Sequence, residues 1–219
     1  MTTDALGRRV LGVLAGSDMP DDQFINWVHS ADLILAADGG ANRLLDCGVV
    51  PHTTIGDLDS ISPDASKRQV RLIENEDQDT SDCDKLLHFA KDLGVEEITL
   101  LGVEGDLLDH VIGTVQSAAK VELGVRLALR RGIAWVLKGP TEFSLPVLPG
   151  TRLSLLPITL CESVTITGTQ WELSGDTLDP KGLTSLSNKV VAHDFNASLK
   201  AGAALLFVET EGTPQWAKE

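Results

Sequence analysis

Three cysteines, Cys47, Cys83 and Cys161, stand far apart in a chain of 219 residues, with no C-x-x-C pair among them. That argues against a disulfide framework and against a zinc site built on paired cysteines. Positive charge is also scarce. Eighteen Lys and Arg face 32 Asp and Glu, and the net charge is −14. A surface of that sign is a poor partner for a nucleic-acid backbone and suits a cationic substrate, or an anionic one carried by Mg²⁺. No run reaches the roughly 18 apolar residues of a membrane span. The opening "MTTDALGRRVLGVLAG" has too short an apolar run for a signal peptide. We therefore expect a cytoplasmic protein with no membrane partner. Neither G-x-G-x-x-G nor G-x-x-x-x-G-K-[ST] occurs, so any nucleotide is held by other means.

What is present is ordinary globular material, 42% apolar and 23% charged, long enough for one large domain or two small ones. The first two-thirds alternate between strand-like and helix-like segments. "RVLGVLAG" (9–16), "DLILAADGG" (32–40), "QVRLIEN" (69–75), "EEITLLG" (96–102), "RLALRRG" (126–132) and "IAWVLKG" (133–139) read as strands. "PDDQFINWVHSA" (20–31), "ANRLLDCG" (41–48), "SDCDKLLHFAKDLG" (81–94) and "DHVIGTVQSAAKVELG" (109–124) read as helices, with Gly48 and Gly94 as stops. That alternation predicts an α/β domain with a mainly parallel sheet covered on both faces. The pattern changes near Gly139-Pro140. Beyond it come short strands and turns, at 151–158, 162–168, 169–175, 189–195 and 203–209, with no convincing helix. The expectation is an α/β domain over 1–140 and an antiparallel β-sandwich over 141–219.

Ligands of open α/β sheets bind at the carboxyl ends of the strands, and here those ends carry acids. "ADGGAN" runs from Ala37 to Asn42, "IGDLDS" holds Asp57 and Asp59, "EDQDTSDCDK" ends at Lys85, and "VEGDLLDH" ends at Asp109 and His110. Four polar loops should converge on one rim. Gly39 and Gly40 could bring backbone amides to a ligand, or could simply make a tight strand-to-helix turn. Asp57 and Asp59, two apart on extended backbone, point the same way. Two such carboxylates repel unless a cation bridges them, which suits Mg²⁺; an Asx-turn with a helix cap is the competing reading. Ser81 is the candidate N-cap of the next helix, with Asp82 and Asp84 in its first turn. Asp82 could reach the rim, and Lys85, one turn on, could meet a phosphate. Asp109 is either a cap or a functional carboxylate.

Taken in order, "ADGGANRL", "IGDLDSI", "DQDTSDCDKLL" and "DH" after a glycine-containing loop resemble the thiamine pyrophosphokinase family. "TQWELSG" followed by "GLTSLSNKV" resembles that family's C-terminal β-domain, so the likeness covers essentially the whole chain. The resemblance implies transfer of diphosphate from ATP to the hydroxyl of thiamine, with release of AMP, by a homodimer whose thiamine site lies where two subunits meet. It implies that Asp57, Asp59 and Asp82 hold Mg²⁺, and that Gln78 and Lys85 contact the phosphates or the reacting hydroxyl. Asp38, Gly39, Gly40 and Asn42 would line the nucleotide side, joined by Ser81 and His110, and Asp109 would be catalytic. Trp171 would stack on the thiamine pyrimidine, with Ser187 and Asn188 as hydrogen-bond partners; a place for Trp171 in the β-domain core is the alternative.

The chain also departs from the family's pattern. The loop expected to read roughly Gly-Gly-Arg-x-Asp-His reads "GDLLDH" (105–110), so Leu107 replaces an arginine and Asp106 a glycine. Thr114 replaces an Asn, and Ser81 replaces a Thr but keeps its hydroxyl. Leu107 cannot pair with phosphate oxygens. Two functional readings follow: an active enzyme in which Lys138 or a partner subunit supplies the charge, and a thiamine- or nucleotide-binding homologue with impaired transfer.

Overall fold

The computed structural model describes residues 9–57, 61–63, 67, 71–75, 77 and 79–210. They form two compact units, divided between Arg130 and Arg131. No described helix is long and apolar enough to cross a membrane.

The first unit is built on six strands, β1 (Val10–Val13), β2 (Leu33–Ala37), β3 (Thr53–Gly56), β4 (Leu72–Glu74), β5 (Glu97–Leu101) and β6 (Gly124–Leu129). They lie in the order β4-β3-β2-β1-β5-β6 and every adjacent pair is parallel. The helices are α1 (Asp21–His29), α2 (Asp38–Asp46), α3 (Asp82–Asp92) and α4 (Leu108–Lys120). Strands buried on both faces must be apolar throughout, and β1 and β2 are buried at every residue. Phe24 and Trp27 of α1, Leu44 of α2, and Leu86 and Leu87 of α3 complete this core. The strand order reverses between β1 and β5, which makes their carboxyl ends the topological switch point.

Local signals set the helix ends. Ser81 and Asp84 form a capping box on α3, with the Asp84 N–H donating to the Ser81 hydroxyl at 3.1 Å and Asp84 Oδ2 accepting from the Ser81 N–H at 3.1 Å. Gly48 and Gly94, at φ +77° and +76°, end α2 and α3 in the left-handed conformation that glycine adopts without cost. Val49 and Val95 then donate back to the carbonyls of Leu44 and Ala90 at 2.9 and 3.1 Å, closing a Schellman motif on each helix.

Two helix boundaries differ from the sequence reading by three residues or more. Helix α2 begins at Asp38 rather than residue 41, so the Gly-Gly pair lies inside its first turn and β2 stops at Ala37. The reason is packing: a β-carbon on Gly40 would strike the Val13 carbonyl oxygen, and one on Gly39 would come within 2.8 Å of Ala15 Cβ. Helix α4 ends at Lys120, and the chain runs almost directly into β6 at Gly124.

The second unit is entirely β. One sheet has the order β12 (Ser185–Lys189), β9 (Arg152–Pro157), β14 (Ala203–Glu209), β7 (Gly132–Lys138), with antiparallel pairing. The other has the order β11 (Leu173–Leu178), β10 (Cys161–Thr167), β13 (Asp194–Leu199), β8 (Thr141–Pro146), also antiparallel. Leu153, Leu155, Val164, Ile166, Phe195 and Leu206 form the core between them. This is the antiparallel sandwich that the strand-and-turn pattern predicts. The sequence reading has no strand at β3 or β8, and its strand at 189–195 spans the gap between β12 and β13, touching only Lys189 of the first and Asp194 and Phe195 of the second. The outward residues of β8 and β13, Glu142, Ser144, Asn196 and Ser198 among them, are polar and leave few apolar residues to mark these strands.

Glycine substitutions separate packing from conformational freedom. Gly113, inside α4 with nothing within 4 Å of an added β-carbon, should gain about 0.5–1 kcal/mol as Gly113→Ala. Gly40→Ala should lose about 1–3 kcal/mol by overpacking. Urea denaturation of both variants checks the opposite signs.

Candidate functional site

Because β2, β3, β4 and β5 run parallel, their carboxyl ends share one edge, and the four acid-bearing loops begin there. Asp38 opens α2 directly after β2 and is 1% exposed. Its carboxylate fills the space that a side chain on Gly56 would need. That contact brings "ADGG" and "IGD" together and sets Asp57 beside the mouth of the same strands. Asn42 extends the link, its Oδ1 accepting the Ser62 N–H at 2.9 Å. Asp59 and Gln78 lie outside the described residues.

The loop after β4 is shaped by Asp77. Its carboxylate accepts the Asp79 N–H at 2.9 Å and the Thr80 hydroxyl at 2.8 Å. Those bonds, the backbone one first, hold the Asp77 carboxyl below its ordinary pKa. The Ser81 hydroxyl is engaged in the capping box and also donates to Asp84 Oδ2 at 2.7 Å. Lys85 is almost wholly buried, and its Nζ lies 3.5 Å from Asp82 Oδ1, whose side chain is half exposed. A buried ammonium needs such a partner.

Helix α4 packs beside α3 through polar contacts. Burial pushes the Cys83 thiol up to about 12, against the effect of its bond with Thr114. Cys83 is therefore an inert packing group, and Thr114 serves this contact. Burial opposes charge on Asp84, but hydrogen bonds from Ser81 and Ser117, with help from Lys120, keep its carboxyl below the usual range. At the start of α4, His110 Nδ1 lies 2.9 Å from Asp106 Oδ2, and the His110 N–H donates to Asp109 Oδ1 at 3.2 Å. Leu107 is 65% exposed. The field of Asp82 reaches His110 and that of Lys85 reaches Asp77. The β4–α3 and β5–α4 loops are thus neighbours.

The sequence reading passed over the loop between β1 and α1, which completes this rim. Gly16 and Asp18 donate to the carbonyls of Gly102 and Glu104 at 2.8 and 3.2 Å, joining the two switch-point loops. Arg43 anchors the same loop from α2. It donates to the Gly16 carbonyl at 3.1 Å and to that of Met19, and its guanidinium lies 4.1 Å over the Phe24 ring. The glycine ending the first strand and the arginine within "ADGGANRL" were the available signals.

In the second unit, Trp171 is 58% exposed, which removes the alternative of a core tryptophan. Asn188, by contrast, is buried, and its amide is spent on protein. Oδ1 accepts the N–H of Trp171 at 3.2 Å and of Lys189 at 2.8 Å, while Nδ2 donates to the Trp171 carbonyl at 2.6 Å. Asn188 therefore holds the backbone that presents Trp171. Ser187, at φ +58°, accepts from the Arg152 guanidinium at 2.9 and 3.2 Å. A groove of about 670 Å³ on the other sheet, lined by Glu142, Ser163, Thr165, Ser174, Ser198 and Lys200 among others, contains none of the expected residues.

Fold and rim together define a two-domain protein, a parallel α/β unit with an acidic carboxyl edge followed by an antiparallel β-sandwich. Two family models match it in that order: the thiamin pyrophosphokinase catalytic domain over residues 24–129 and the thiamin pyrophosphokinase vitamin B1 binding domain over 142–204. Thiamine pyrophosphokinase of Bacillus subtilis is 22% identical, over 93% of this chain and the whole of its own length. Thiamine pyrophosphokinase 1 of Arabidopsis thaliana is 28% identical, over 84% of this chain and 80% of its own. The solved Bacillus subtilis structure aligns with a TM-score of 0.77 at 21% identity, over 93% of this chain and 100% of that one. The Candida albicans enzyme also reaches 0.77, at 16% identity over 92% and 90%. The chain belongs to the thiamine pyrophosphokinase family.

Asn188→Ala should cost about 1–3 kcal/mol, because it strands buried backbone groups of Trp171 and Lys189. Trp171→Ala, at an exposed position, should stay within about 0.5 kcal/mol of wild type. Denaturant midpoints of the two variants test this contrast.

Proposed function

We propose that this chain catalyses Mg²⁺-dependent transfer of diphosphate from ATP to the hydroxyl of thiamine, giving thiamine diphosphate and AMP. Family membership marks it as a kinase-type transferase with small-molecule substrates. The observation that carries the finer reading is the meeting of Asp38, Gly56, Asp57, Asp77 and residues 79–85 and 104–110 at one edge of a parallel sheet. In the proposed reaction the thiamine oxygen attacks the β-phosphorus. The bond from that phosphorus to the bridging oxygen of AMP breaks, and the hydroxyl proton passes to a rim carboxylate, with Asp109 as a candidate.

Among the described residues no three His, Cys, Asp or Glu side chains gather as a self-contained metal cage. Mg²⁺ does not require one, since it commonly binds through one or two carboxylates with phosphate and water oxygens completing the shell. Asp57 and Asp82 are donors of the right kind, and Asp59 would join them. When bound, the ion would neutralise phosphate charge. Lys85, held beside Asp82, would add a cation on the phosphate side, and Gln78 would contact the phosphates or the reacting hydroxyl. Asp38, Gly39, Gly40 and Asn42 would line the nucleotide, with Ser81 and His110 at its phosphate end.

The exposed face of Trp171 suits thiamine, which carries a permanent positive charge. Ser187 would offer its hydroxyl, and Asn188 would act through Trp171. We place the enzyme in the cytoplasm as a homodimer. An impaired homologue that binds thiamine or nucleotide is the second reading, and the uncharged, exposed Leu107 favours it.

Incubation with ATP, Mg²⁺ and thiamine should yield AMP and thiamine diphosphate in equal amounts. Thiamine binding without product would establish the second reading instead. Asp57→Asn should lower turnover at least about 100-fold while circular dichroism stays that of the wild type. Full Mg²⁺-dependent activity in that variant would remove Asp57 from the metal site.

A further inference from the structure

Residues 103–112, "VEGDLLDHVI", contain no Lys or Arg, and Leu107 and Leu108 are 65% and 74% exposed. Asp106 and Asp109, with Asp82 from the start of α3, all act on His110. His110 is then the one side chain of this segment able to carry positive charge near neutral pH. Its ring is 62% exposed. Asp106 is itself anchored, since Oδ1 accepts the Leu107 N–H at 2.7 Å while Oδ2 meets His110 Nδ1 at 2.9 Å. A carboxylate on one ring nitrogen fixes the tautomer and orientation, leaving Nε2 to meet a ligand.

We propose that Asp106 is a positioning residue for His110, orienting the imidazole as the cationic donor to the phosphate oxygens of ATP at the start of α4. This rests on the reading of the chain as an ATP-dependent transferase. The direction of titration agrees with it. The hydrogen bond from Asp106, then its charge, raises the pKa of His110 above the ordinary histidine value, with Asp109 and Asp82 adding to it and slight burial opposing it. Burial opposes charge on Asp106, but the bonds from His110 and Leu107 outweigh it and hold that carboxyl low. Affinity for ATP due to His110 is then complete below the raised pKa and fades as pH rises through it.

Asp106→Asn keeps an acceptor for the Leu107 N–H and removes the charge. In the ligand-free full-length protein, NMR titration should show the His110 midpoint moving to lower pH. Calorimetry with Mg·ATP near neutral pH should show affinity falling about 3–10-fold, with its pH profile displaced by the same amount. In turnover, KM for ATP should rise by that factor with a smaller change in kcat. Adding Leu107→Arg should restore affinity and flatten the profile, because a permanent cation replaces a titrating one. An unmoved His110 midpoint overturns the proposal, as does a moved midpoint with unchanged Mg·ATP affinity. Wild-type protein that binds Mg·ATP without forming AMP refutes the transfer reaction, while the binding measurements still decide the role of Asp106. Wild-type protein that binds no nucleotide overturns both.

Discussion

The carboxylate of Asp38 rests on Gly56, in space that any other residue at 56 would fill. The carboxyl edge of the sheet depends on this contact. It joins the end of β2, the first turn of α2 and the end of β3, and so sets where Asp57 leaves the strand. A helix N-terminus favours a negative charge, which helps a 1% exposed carboxylate to be tolerated there. Gly39 and Gly40 extend the same close fit to β1, against Ala15 and the Val13 carbonyl. Three strand ends are therefore aligned by small side chains, and only then do the acids of the rim acquire a common direction.

Around that knot the loops brace one another. Backbone bonds join the β1–α1 loop to the β5–α4 loop, and Arg43 fastens the first of these to α2. Helices α3 and α4 are coupled through Cys83 with Thr114 and Asp84 with Ser117. Many acids in the conspicuous loops hold structure: Asp77 shapes a turn, Asp84 closes a capping box, Asp106 anchors a histidine. Asp82 opens α3 with the buried Lys85 3.5 Å away, and Asp57 follows β3 at the same edge.

The β-sandwich divides its labour similarly. Trp171 offers an exposed aromatic face, and Asn188 spends its amide on holding that segment in place. Of the two, only the Trp171 side chain is exposed. Arg152 orients the Ser187 hydroxyl from the neighbouring strand. Substitution at Asn188 would thus release the backbone that presents Trp171.

Much of this was legible in the chain itself. Continuous apolar runs imply buried parallel strands, Ser81 with Asp84 implies a helix start, and Gly48 and Gly94 imply helix stops, because each depends on residues a few positions apart. The ordered acid-bearing motifs pointed to the family and to one shared rim. Contacts between distant segments were not legible. That Gly56 exists for Asp38, that Arg43 holds Gly16, and that Asn188 serves Trp171 rather than a ligand all depend on which strands become neighbours. The amino-acid sequence by itself determined the elements, the family and the types of group available for chemistry. The tertiary structure decided which of those groups are spent on holding the fold, because a carboxylate or amide satisfied by the protein is indistinguishable in sequence from one that faces a ligand.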